Sequence, residues 1–330
     1  GGNSVTSDSF TTGGTAITLP NPTKTGYSIG SAPASIISST LALHFNPEST
    51  SSYSGSGTSV TDLSGNGRTG TLTGSALPTF TNTTPKSFNF NGGGSGGNKI
   101  TVTNKFLPDD LTIQLWMKST GVGSGTQHYT TMGLIHAENG GGANDWGLGI
   151  NSSGKLAFGV GTSDVTIATD ESVNTGSWIN VAVTRTKSTG EIRLYINGVF
   201  KKSGTGNSGN SLNASGDTWI GNAQDGGPAF VGNMGQIVAY TSKLSDGDIL
   251  NNYNASCSTY SLCTNTVGGW YSDSGFTNFV GAPGASYSPT GSTTSLNLYV
   301  KWSGNSNTVS FNPQNGSTSS TATWVTGSTL

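Results

Sequence analysis

Apolar residues in this chain recur in short runs, at alternate positions or as brief unbroken blocks: Leu41–Phe45, Ser87–Phe90, Leu111–Met117, Leu156–Val160, Ile179–Thr184 and Ile192–Ile196. A period of two puts one face of an extended strand against a core, and the Gly/Ser/Asn clusters between the runs supply turns. In Ile196-Asn-Gly-Val199 the Asn-Gly pair accepts the positive φ of a tight hairpin. One stretch, Ser245–Tyr253, has helical spacing: Ser245 is placed to cap it, and Ile249 and Tyr253 lie four apart on one face. Many short strands with turns between them predict an all-β sandwich or barrel.

Composition narrows the classes of partner. The 330 residues leave room for two domains. Only 9% are charged, against roughly 25% in an average soluble protein, and Gly alone supplies 51 positions. Such a surface is polar without being ionic and lacks the clustered Lys and Arg that nucleic acid requires. The net charge of −2 steers no charged partner over distance. No run approaches the roughly 18–20 apolar residues of a membrane span. Few Lys and Arg also mean few trypsin-like cleavage sites, which suits a protein exposed outside the cell.

Two separated phrases belong together. Thr12-Gly-Gly-Thr-Ala-Ile-Thr-Leu-Pro-Asn-Pro-Thr-Lys-Thr-Gly-Tyr27 near one end, and Gly268-Gly-Trp-Tyr-Ser-Asp-Ser-Gly275 with Leu298-Tyr-Val-Lys-Trp302 near the other, together resemble the internalin-type B-repeat, a small β-module of bacterial extracellular proteins. Between them, Leu41-Ala-Leu-His-Phe45, Thr61-Asp-Leu-Ser-Gly-Asn-Gly-Arg68, Lys86–Gly92, Leu111–Lys118, Trp178–Val183, Ile192–Gly198 and Gly232–Tyr240 follow in the order of the laminin-G-like, concanavalin-A-type jelly roll. The two resemblances imply an all-β chain in which a two-sheet jelly roll is inserted in a small, discontinuous β-module. The expected division is 1–35, first part of the module; 36–256, jelly roll; 257–303, second part; and 304–330, a C-terminal strand region. A jelly roll brings its termini together, which makes it a tolerated insertion.

The tail carries a further expectation. Asn307-Thr-Val-Ser-Phe-Asn-Pro-Gln-Asn-Gly316 copies the opening strand that a B-repeat has before Gly1-Gly2, and Thr321–Thr326 is a second β-prone run. Three readings stand: a cut repeat array, a tail folded back on its own molecule, and a strand donated to the next subunit. The third is preferred here, since strand addition satisfies an unpaired sheet edge and a head-to-tail contact generates filaments. Its contact residues would be Val309, Phe311, Trp324, Val325, Val5 and Phe10.

Candidate chemistry is sparse. Glycosidases of this fold need paired carboxylates, and the family's Glu-x-Asp-x-x-Glu spacing is absent. Asp109-Asp110, Glu138, Asp145 and Asp170-Glu171 read as solvated turn residues, and His44, His128 and His136 carry no nucleophile motif. The chain reads as non-enzymatic. The jelly-roll resemblance implies calcium at a loop rim, with Asp62, Asn66 and Asp225 as candidates; Asp62 reads more readily as a turn residue bonding the backbone of Ser64 or Gly65. Glycan binding needs an aromatic platform beside hydrogen-bonding groups, for which Trp146 and Asp145, with Asp225 and Phe230, are the candidates, whereas Trp116, Trp178 and Trp219 read as core. Cys257 and Cys263, the only cysteines, form a disulfide or remain as two thiols. The preferred reading is an extracellular filament subunit that self-associates, and the alternative is a carbohydrate-binding adhesin.

Overall fold

The computed structural model describes residues 35–262, apart from 94–95, 105, 139–143, 162–163 and 214, and on either side of that span the strand segments alone. The chain divides into two compact units, Ile36–Leu262 and Gly1–Ser35 with Cys263–Leu330.

Strands β1 (Val5–Asp8) and β2 (Ile17–Thr18) belong to the discontinuous unit. The larger unit then runs through β3 (Leu41–Phe45), β4 (Ser59–Val60), β5 (Gly70–Thr73), β6 (Thr79–Thr81), β7 (Ser87–Asn91), β8 (Lys99–Val102) and β9 (Leu111–Lys118). A 3-10 turn, His128–Thr130, precedes β10 (Met132–Ala137), β11 (Trp146–Ile150), β12 (Lys155–Val160), β13 (Val165–Ser172) and β14 (Ile179–Arg185). The unit closes with β15 (Glu191–Ile196), β16 (Val199–Thr205), β17 (Thr218–Ile220), β18 (Val231–Tyr240) and helix α1 (Asp246–Ser256).

These strands form two antiparallel sheets. The first has the order β13-β12-β11-β10-β17-β8-β5-β4; the second runs β16-β15-β14-β9-β18-β7-β6, with β3 also paired to β18. The predicted strands are all present, and the predicted jelly-roll sandwich is the observed architecture. Alternation explains the packing of β9. Leu111, Ile113, Leu115 and Met117 point into the shared core between the sheets. Its other face is buried too, because α1 and the turn that follows it cover it: Trp116 stacks on Tyr260 of the turn at 4.1 Å and on Tyr253 of the helix at 5.5 Å, and its indole N–H donates to Ser256 Oγ at 2.8 Å. The helix starts where expected, with Ser245 and Asp248 forming a reciprocal capping box. The Asn197-Gly198 hairpin holds both residues at positive φ, 51° and 77°.

In the discontinuous unit, segments from both ends of the sequence share one sheet. With β19 (Trp270–Tyr271), β20 (Phe279–Gly281), β21 (Ser286–Tyr287) and β22 (Leu296–Val300), the antiparallel order is β1-β22-β19-β20, and β2 pairs with β21. Val5 lies opposite Tyr299, and Ile17 opposite Tyr287. The C-terminal strands β23 (Asn307–Phe311) and β24 (Ser320–Trp324) pair with each other, Val309 opposite Ala322 and Phe311 opposite Ser320. The stretch expected to enter a neighbouring subunit thus has an intramolecular partner here, because a second β-prone run follows it closely enough to close a hairpin. Phe10 and Val325 lie outside the described residues.

Candidate functional site

The site lies on the outer face of the first sheet, and strand alternation decides what it displays. In β17 the side chain of Ile220 enters the core, which turns Trp219 outward. Trp219 lies opposite Thr101 of β8 on one side and His136 of β10 on the other. Thr101 in turn lies opposite Thr71, and Lys99 opposite Thr73. One face therefore gathers Thr71, Thr73, Lys99, Thr101 and Trp219. The indole stays partly exposed. Lys99 Nζ sits 4.1 Å from the Trp219 ring centroid, and the Thr73 and Thr101 hydroxyls are 2.7 Å apart. Burial pulls the Lys99 ammonium below its usual range.

Toward β13 the same face is covered by the chain itself. Gly147, Gly149 and Gly159 leave a smooth strip there. A Cβ on Gly159 would stand 2.6 Å from His128 Cβ, and one on Gly149 would stand 2.1 Å from Thr131 Oγ1. The segment His128–Thr131 lies against this strip and carries buried polar groups with it. His128 Nε2 is 3.2 Å from Glu138 Oε1, His136 Nδ1 is 3.7 Å from the same oxygen, and Thr131 Oγ1 is 3.2 Å from His136 Nε2. Burial lowers the His128 pKa, with Glu138 opposing that shift. The Glu138 N–H donates to Gln224 Oε1, Gln224 Nε2 donates to the Asp217 carbonyl at 2.7 Å, and Asp217 Oδ1 accepts the Asn104 N–H at 3.1 Å. A hydrogen-bonded chain thus runs from the His–Glu cluster to the start of β17, beside Trp219.

Several expected site residues are placed elsewhere. Trp146 and Phe230 have no exposed surface, so neither offers a face to a sugar. Trp146 is in phase with Leu148 and Ile150 on the inward side of β11 and packs near Phe158, while Phe230 meets Phe90 edge-on. Asp145 and Glu138, read as solvated turn residues, are both buried. Asp225 is exposed on the loop after β17. Asp62 is a turn organiser: its carboxylate accepts from the backbone N–H groups of His44, Ser64 and Arg68 and from Ser64 Oγ, at 2.7–3.1 Å. Asn66 donates its amide to Leu41 O at 2.8 Å. Those contacts occupy the Asp62 lone pairs a calcium ion would use. Among the described residues, no group of three or more His, Cys, Asp or Glu side chains is placed to hold a metal. Cys257 is disulfide-bonded, and the only other cysteine of the sequence, Cys263, lies outside the described residues.

Trp219 was missed because an isolated tryptophan in a strand reads as core. The signal was present in Thr218-Trp219-Ile220 and Lys99-Ile100-Thr101-Val102, where the aliphatic positions claim the inner face and leave Lys99, Thr101 and Trp219 on the outer one.

Residues 91–250 match the family model described as the concanavalin A-like lectin/glucanases superfamily, of laminin G type. This segment is a laminin-G-type domain. The same fold is seen in domain 4 of AbnA, an extracellular arabinanase from Geobacillus stearothermophilus solved with arabinotriose. It has 20% identity and a TM-score of 0.50 and covers 64% of this chain and 98% of that one. The binding domain of botulinum neurotoxin DC, solved with SialylT, has 16% identity and a TM-score of 0.49 over 66% of this chain. The binding domain of Paraclostridial Mosquitocidal Protein 1 has 17% identity and a TM-score of 0.48 over the same share. The chain matches only about half the length of each toxin chain, 52% in both cases. Identities this low speak to the fold alone. No curated protein sequence matches the chain.

Proposed function

We propose that the protein is a non-catalytic, carbohydrate-binding component of an extracellular or cell-surface protein, with Trp219 as the platform on which a sugar ring stacks. The observation that carries this reading is a partly exposed indole on a sheet face otherwise lined by hydroxyls and one ammonium. Sugar rings present an apolar C–H face to an aromatic ring and hydroxyls to polar neighbours, and a flat, rigid sheet holds both sets in register. The arabinanase domain of the same fold, solved with arabinotriose, supports this reading. A binding role without hydrolysis is supported by the carboxylates. Glycosidases set two of them about 5–9.5 Å apart across a bound sugar. Here Glu138 and Asp145 lie beneath the surface, and Asp109, Asp170, Glu171, Glu191 and Asp246 are held by Lys or Arg.

The test is a glycan array probed with the full chain and with its Trp219→Ala variant. Binding that disappears in the variant, with an unchanged melting temperature, supports the platform; wild-type binding that survives the substitution refutes it.

A second reading, self-association, rests on strand edges. Among the described residues β1 ends its sheet and the β23–β24 hairpin pairs with no other strand, so hairpin addition to β1 of a second copy would satisfy both edges. Sedimentation should then show oligomers that revert to monomers when residues 307–330 are deleted, and a concentration-independent monomer removes this reading.

A further inference from the structure

We infer that the saccharide taken by this face is anionic, carrying a carboxylate or a sulfate, and that Lys99 selects it. The inference rests on the sugar-binding reading and adds the ligand's charge. Lys99 stands apart from most cations of the larger unit. Lys187 pairs with Asp109 at 2.9 Å, Lys201 with Glu171 at 2.9 Å, Lys202 with Asp170 at 3.1 Å, and Lys243 with Glu191 at 2.6 Å. Arg193 is held by Asp246 at 2.8 Å. The two terminal nitrogens of Arg185 donate to the carbonyls of Asp109, Asn207 and Asn210. Lys99 has no acidic group within ion-pairing distance among the described residues, and it lies over the ring of the platform itself.

The chemistry of that arrangement is directional. An ammonium over an indole is attracted to the negative face of the ring and is stripped of part of its water. The lowered Lys99 pKa, caused by burial and by no neighbouring charge, has the same origin. A neutral sugar stacking there must compete with the ammonium for the ring face. A sugar bearing a carboxylate or sulfate instead supplies the missing counter-charge while its ring lies beside the ammonium on the indole, and its hydroxyls meet Thr73 and Thr101. The selection is local, since a net charge of −2 gives the whole chain no attraction for anions.

The experiment measures binding of the full chain to matched pairs of neutral and uronate-, sialic acid- or sulfate-bearing oligosaccharides, at low and high salt. Wild type, Lys99→Gln and Trp219→Ala are compared, with Lys202→Gln as a charge-matched control. Expected are a preference of about tenfold or more for the anionic member, its loss in Lys99→Gln by about tenfold, and weakening by salt, with Lys202→Gln unchanged. Equal binding of neutral and anionic members that Lys99→Gln leaves unaltered overturns the inference while the sugar-binding reading stands. Failure of the wild type to bind either member overturns both. Loss of both classes in Trp219→Ala, with the anionic preference intact in wild type, upholds both.

Discussion

His128 Nε2 and Glu138 Oε1 are 3.2 Å apart, and neither side chain is more than 2% exposed. A carboxylate is costly to bury, and partners at this distance are what make it tolerable. His136 stands 3.7 Å from the same oxygen. Removing the carboxylate leaves two buried imidazoles facing a void. Glu138→Ala is expected to lower unfolding stability by about 2 kcal/mol in urea titrations at pH 7.5, the cost of leaving buried polar groups without their partner. A change within about 0.5 kcal/mol would mean that the carboxylate contributes nothing to holding the 3-10 segment on the sheet.

Acid should weaken the same region. The His128 pKa is lowered in the folded state, chiefly by burial, and His44 is lowered for the same reason. A base whose folded pKa is depressed is neutral when folded and takes up its proton on unfolding. Its contribution is therefore complete above the unfolded value, about 6.5, and is lost as pH falls below it. Urea midpoints should hold steady from pH 8 to 7 and drop from pH 6.5 to 5. His128→Asn should flatten that drop, and an unchanged acid limb in the variant would assign it to other groups.

The glycine strip makes a packing prediction. A side chain at Gly159 meets His128 Cβ and Nδ1 at 2.6 Å, and these atoms lie too close to the backbone to swing aside. Gly159→Val should destabilise by about 1–3 kcal/mol and raise amide exchange in residues 127–131 before it does so in β14 or β15. Uniform exchange across both sheets would show that the segment does not rest on the strip.

Asp62 separates a turn from a metal site. Four donors converge on its carboxylate, from His44, Ser64 and Arg68. Asp62→Ala should cost about 2–3 kcal/mol, equally in calcium and in a chelator, because the lost partners are protein N–H and O–H groups. A calcium-dependent melting temperature in the wild type that the substitution abolishes would restore the ion.

Much of the fold was legible in the sequence because period-two alternation is a local property. Leu111–Met117 and Ile192–Ile196 declare their inner faces without help, and Asn197-Gly198 fixes a turn through its backbone preference. The candidate site was less legible because it depends on strands distant in sequence. Trp219 acquires Lys99 only through the pairing of β17 with β8, and Glu138 acquires His128 only when the 3-10 segment folds over the glycine strip. Trp146 misled for a related reason: a tryptophan beside a Gly-rich stretch reads as an exposed platform, yet it opens β11 with its ring in the core, and Gly149 of that strand lies beneath Thr131.

Indole N–H signals from the seven tryptophans, followed during titration with a saccharide that the array selects, test the central claim most directly. The account predicts that the resonance missing in Trp219→Phe is the one that shifts, while those of the buried Trp116 and Trp146 stay still. A shift confined to Trp178, on the opposite sheet, or to no indole at all, would contradict it.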